Sequence, residues 1–134
     1  MRKDILRIAR KCRKWAESRA VFLDDVDTDL CGMCAIASRK VFRELRKAGI
    51  SSKLIVGQDH VFNLVNVDRK PHILDITASQ FGSFKEVTLM PYPDLGKADW
   101  WSKCRAFKSE SGLLSYMRRD GWPTGQITMQ YSDV

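Results

Sequence analysis

Long apolar runs are missing from this 134-residue chain. No stretch approaches the roughly 18 consecutive apolar residues that a membrane-crossing helix needs, so no membrane span is expected. The opening residues, Met1-Arg2-Lys3-Asp4-Ile5-Leu6-Arg7, are basic but lack the continuous apolar core of a secretory signal. Internal repeats and low-complexity segments are absent as well. Cysteine is sparse: Cys12, Cys31, Cys34 and Cys104 stand at uneven spacings that do not read as a disulfide framework. Without a signal, four such cysteines imply free thiols in a reducing, cytoplasmic setting. No cofactor is expected.

What is present fits a globular chain. Hydrophobic residues make up 44% and charged residues 29%, enough of each for one folded domain over residues 1–134 with a sizeable core. The net charge of +7 is concentrated at the start. Arg2, Lys3, Arg7, Arg10, Lys11, Arg13, Lys14 and Arg19 face only Asp4 and Glu17 there, and an acidic patch follows at Asp24, Asp25, Asp27 and Asp29. A basic helix of this kind can engage an acidic partner through Arg10, Lys11, Arg13 and Lys14. No nucleic-acid motif accompanies it, so nucleic acid is not the expected partner. The plainer alternative is a solvated outer face.

Between Asp4 and Ala20, the residues Ile5, Ile8, Ala9, Cys12, Trp15 and Ala16 recur at steps of three and four, which is one buried stripe on a helix. Cys12 lies on that stripe and reads as a small core residue. Asp24 to Asp29 reads as a loop. Helix-start signals follow it, with Thr28 or Asp29 able to accept orphan amides and Gly32 able to turn the chain. From Cys34 on, Ala37, Val41, Leu45 and Ala48 form one face flanked by Ile36 and Phe42. Arg39, Lys40, Arg43, Arg46 and Lys47 are expected to point outward, and Gly49 to end the helix in the left-handed region.

Three β runs come next: 53–56, 60–67 and 71–76, with Asp68-Arg69-Lys70-Pro71 connecting the last two as a hairpin. Beyond Thr77 the pattern weakens. Met90-Pro91-Tyr92-Pro93 reads as loop, because prolines leave a regular ladder without donors. Ser109/Glu110 to Asp120 reads as a short helix stopping at Gly121, and Gln126 to Tyr131 as a final strand. Trp100, Trp101 and Trp122 read as packing residues.

The chemistry centres on Leu30-Cys31-Gly32-Met33-Cys34-Ala35. A thiolate is the reactive form of cysteine, and a helix N-terminus with an imidazole beside it favours that form. Cys34 opens the helix while Cys31 lies before it, so Cys34 has the better position. A hairpin loop with an even number of residues, centred on Asp68-Arg69, puts His60 opposite Thr77 and Phe62 opposite Asp75. His60 and Asp75 then share a face. An odd loop would separate them. With that geometry His60 serves as base and acid, and Asp75 orients the imidazole. His72, near the turn, is expected to be exposed. A competing reading takes Cys31, Cys34, His60 and His72 as zinc ligands. The eleven residues between the histidines do not match the usual spacing of three to five.

Cys31-Gly32-Met33-Cys34-Ala35 is similar to the Cys-Gly-x-Cys segment of papain-like proteases. The longer order resembles the transglutaminase-like branch: Gly32-Met33-Cys34, a helix into Lys47-Ala48-Gly49-Ile50, a strand to Val56-Gly57, then His60-Val61-Phe62 and Leu74-Asp75-Ile76-Thr77. The likeness covers residues 30–82. It implies an α+β fold, papain-like in core, with the nucleophile helix packed on a small antiparallel sheet. It also implies thioester chemistry on amides of a peptide or protein substrate, whether by cleavage, deamidation or transamidation. By position, Cys34 would be nucleophile, His60 base and Asp75 orienter. Phe62 stands where the family has tryptophan, and Asp27-Thr28-Asp29 stands where papain-like enzymes carry an oxyanion-hole glutamine. The Cys34 N–H and Gln58 are the remaining candidates for that role. A non-catalytic binding module of the same fold is the alternative function.

Overall fold

The computed structural model describes residues 1–20, 33–57, 60–81, 85–92 and 104–122. The fold is α+β: the described residues form three helices and a five-stranded antiparallel sheet. Helix α1 (Arg2–Ala20) is followed by α2 (Cys34–Lys47), then strands β1 (Ser52–Gly57), β2 (His60–Val67) and β3 (Lys70–Asp75). After a 3₁₀ turn (Ala78–Phe81) come β4 (Thr88–Pro91), β5 (Arg105–Phe107) and helix α3 (Glu110–Asp120). The sheet runs β4-β3-β2-β1-β5.

Helix α1 buries the stripe its period dictates, with Ile5, Ile8, Ala9, Cys12 and Ala16 in the core and Trp15 partly covered. They meet Ile36, Ala37, Val41 and Leu45 of α2 and Val65, Val67 and Leu74 of the sheet. Helix α2 ends at Lys47, with Ala48 as its C-cap. Gly49 at φ 78° lets its own N–H reach the Arg46 carbonyl and the Ile50 N–H reach the Leu45 carbonyl, so two orphan carbonyls are satisfied. Helix α3 covers the other half of the same sheet face. Leu113 and Met117 pack on Leu54, Val56 and Val61, with Trp122 partly buried at their margin.

The β2–β3 register sets the faces. Asn63 pairs with Leu74, Leu64 with Ile73, and Val65 with His72, across a two-residue turn at Asp68-Arg69. Both turn residues have positive φ, 51° and 65°, the backbone that matches the right-handed twist of paired strands. Odd residues of β2 therefore face the helices, while Phe62 and Leu64 join Ile55, Ile73 and Met90 on the opposite face.

Four expectations need correction. Met90 and Pro91, expected in a loop over 90–93, belong to β4: on the outside of β3, Pro91 faces no second partner strand among the described residues, and an edge tolerates the missing donor. His72 is buried rather than exposed, because Pro91 of β4 pairs beside it and its Nδ1 bonds the Lys70 carbonyl at 2.9 Å. Arg39 and Arg43 do not point to water; they are buried beside Glu110. Arg13 is buried too. The loop over 24–29, Trp100, Trp101 and the strand over 126–131 lie outside the described residues.

Candidate active site

Cys34 is the first residue of α2. Met33 occupies the N-cap with no side-chain hydrogen bond, and Thr28 and Asp29 lie outside the described residues. Helix α2 is held in register with β2 by two buried links. The Ser38 hydroxyl donates to the Val61 carbonyl at 3.0 Å, and the Asn63 amide donates to the Ser38 carbonyl at 3.0 Å. Ser38 is one helical turn after Cys34, and Val61 is the residue after His60. The links thus fix the helix start against the strand start, where the imidazole stands. Neither Ser38 nor Asn63 stood out in the sequence. A polar residue at i+4 from the cysteine on an otherwise apolar face was the available signal.

His60 opens β2, and its ring stacks on Phe62 at 5.9 Å between centroids. Phe62 keeps the same face two residues on, as strand alternation requires. His60 and Asp75 come together as the even turn demands: Nε2–H donates to Asp75 Oδ2 at 2.6 Å, with both side chains at most 1% exposed. The other carboxylate oxygen, Oδ1, accepts from the Thr77 N–H at 2.8 Å and from its hydroxyl at 3.2 Å. Thr77 is therefore the support of the carboxylate. Its signal was the Asp-x-Thr spacing, in which a short acidic side chain bonds backbone two residues on.

Cys34, 3% exposed, hydrogen-bonds the same ring. Since Nε2 is engaged by Asp75, Nδ1 is the nitrogen left to face the sulfur. Burial of His60 alone would disfavour its charge. The Asp75 charge and hydrogen bond, together with the bond and charge of Cys34, outweigh this and push its pKa from 6.5 to about 10. The protonated ring is therefore the form this arrangement favours for His60. The structure thus brings Cys34, His60 and Asp75 into one chain of contacts.

No family model, curated protein or solved structure matches the chain.

The other thiols have different surroundings. Burial, with Glu44 adding to it, raises Cys12 to about 12, and burial raises Cys104. Both stay in the unreactive thiol form at neutral pH. Cys31 and Gln58 lie outside the described residues. For zinc, the register is adverse: His72 is opposite Val65 and faces the helices, whereas His60 shares the face of Phe62. A single tetrahedral site cannot take both rings. Among the described residues, no group of three or more His, Cys, Asp or Glu side chains is placed to hold a metal. No helix among them is long and apolar enough to cross a membrane.

Proposed function

We propose that the protein is a cysteine-dependent amide hydrolase or acyltransferase, with a transglutaminase-like, papain-like core. The contact chain Cys34–His60–Asp75 carries this reading, because all three groups are withdrawn from water and joined in the order the chemistry requires. The Cys34 sulfur attacks the amide carbon of a peptide or protein substrate. The imidazolium then gives its proton to the leaving nitrogen, which departs as an amine or ammonia, and a thioester remains. His60, now neutral, takes a proton from the incoming water or amine as that nucleophile attacks the thioester, and the Cys34 thiolate is released. Asp75 holds the ring orientation throughout and stabilises each imidazolium. The N-terminus of α2, with the Cys34 N–H at its first turn, supplies positive potential near the carbonyl oxygen.

Iodoacetamide labelling tests the nucleophile directly. Cys34 is expected to label faster than Cys12 and Cys104. In His60→Ala its rate is expected to fall by about tenfold or more, in line with the usual contribution of a positioned base. Equal, slow labelling of every cysteine would refute the reading.

A further inference from the structure

Strand parity puts His60 and Asp75 on one face, but the sheet does not hold them together. The β2–β3 pairing runs from Val67–Lys70 to Asn63–Leu74, so Asp75, Ile76 and Thr77 lie past its end. On the β4 side the pairing ends at Asp75–Thr88. A carboxylate that must aim one oxygen at an imidazole needs a fixed backbone beneath it. The side chain that reaches this backbone comes from α1. Arg13 is buried, and three acceptors engage its guanidinium: Glu17 at Nε (2.9 Å), and the Ile76 carbonyl (2.8 Å) and Ser79 hydroxyl (2.9 Å) at Nη1. The Ile76 carbonyl and the Thr77 N–H belong to one peptide unit, and in the trans form they point opposite ways. The unit that accepts from Arg13 on one edge therefore donates to Asp75 Oδ1 on the other, at 2.8 Å. The contacts run on through Asp75 Oδ2 to His60 at 2.6 Å.

From this geometry we infer that Arg13 is a positioning residue of the candidate site, holding the Asp75 carboxylate against His60 through the 76–77 peptide, a role that rests on the proposed orienting function of Asp75. Two physical effects act together. A guanidinium that donates from a rigid planar fork, with its Nε tied to Glu17, stops the peptide unit from rotating. A cation on the carbonyl also polarises the amide and makes its N–H a stronger donor, the cooperative gain of linked hydrogen bonds in a low dielectric. An apolar side chain of similar volume would fill the same space and do neither. The expected basic contact set changes accordingly. Burial takes Arg13 out of the cations offered to an acidic partner, while Arg10, Lys11 and Lys14 stay exposed.

The proton on His60 Nε2, shared with Asp75, is the discriminating readout by NMR. The titration of His60 is not, because the guanidinium's own field disfavours the imidazolium while a firmer carboxylate favours it. At pH 7 the ring carries that proton, since its pKa is pushed up to about 10, and loss of the signal in His60→Ala identifies it. Arg13→Met is expected to speed exchange of this proton with water by about tenfold or more, as loss of support for a bond to a charged group does. Arg13→Lys, which keeps a cation of similar reach, is expected to restore most of the protection. Lys14→Met makes the same charge change on the next, exposed residue and is expected to shift exchange by less than about twofold, because exposed charges are screened. Cys12, buried on α1 beside Arg13, reports separately on the seating of that helix. In Arg13→Met, iodoacetamide labelling is expected to slow at Cys34 and to stay slow at Cys12. Should Cys12 label at the rate of the denatured chain, Arg13→Gln is read for the same proton with sucrose added, which favours the compact state. Unchanged exchange in a variant with α1 seated would overturn the inference and leave Arg13 a brace for the helix. Failure of lysine to restore protection would overturn the role given to the cation. Absence of a protected proton in the wild type would overturn the His60–Asp75 contact and the inference with it. Wild-type Cys34 that labels no faster than Cys12 and Cys104 would count against the catalytic reading alone, because the proton is read without turnover.

Discussion

Asp75 divides its two oxygens between two jobs: one takes the His60 N–H, and the other takes both donors of Thr77. With those bonds made, a carboxylate that would be costly to bury is instead a fixed, charged neighbour of the imidazole. The consequence is a stability that depends on pH. The His60 pKa is raised in the fold, so its contribution is complete below about 6.5 and is lost as pH climbs toward about 10. The urea midpoint is therefore expected to fall between pH 7 and pH 10, and Asp75→Asn is expected to flatten that slope. A slope unchanged in the variant would show that another group governs it. At this scale much was legible in advance. The His60–Asp75 meeting follows from strand parity and a two-residue turn, both local properties of the chain. Thr77, Ser38 and Asn63 were not, because their roles arise from which backbone groups the packed elements leave facing them.

Helix α2 is amphipathic in a way that hides part of its polar face. Arg39 and Arg43 are 2% and 6% exposed, and each donates through Nε to one oxygen of Glu110 at the start of α3, at 2.8 and 2.7 Å. A helix-period reading assigns arginines to water, because the carboxylate that changes the outcome lies about seventy positions away in the chain. Such a cluster is also asymmetric in energy. Removing the single carboxylate leaves two buried cations without it, so Glu110→Ala is expected to cost about 3–5 kcal/mol, read from the urea midpoint at constant slope. Replacing all three members with apolar residues of similar volume is expected to recover most of that loss. A triple variant as unstable as the single one would show that the three charges matter for more than each other. Strands β4 and β5 escaped the sequence reading for a related reason. At four and three residues, they are too short to show a period, and their pairing with β3 and β1 defines them.

Across the whole molecule, the excess positive charge is split between exposed cations on α1 and guanidiniums built into the fold. Arg13 belongs to the second group. It donates to the Ile76 carbonyl at 2.8 Å, Ser79 Oγ at 2.9 Å and Glu17 at 2.9 Å, and so ties α1 to the stretch just past Asp75. Arg13→Met keeps most of the volume and removes these bonds. It is expected to cost about 1–3 kcal/mol in urea unfolding, the usual penalty for stranding buried polar groups. The same brace has a consequence in time. Its partners are 63 and 66 residues downstream of Arg13, so during synthesis α1 emerges long before Ile76 and Ser79 exist. At about 5–20 residues per second, the interval is about 3–13 seconds. Through that interval the helix can shelter its apolar stripe only on α2, once that helix is out. The lock that seats it against the sheet closes only when the strand bearing Asp75 has been made, so the docking of the first helix and the completion of the candidate site are late, nearly simultaneous events in the life of each new chain.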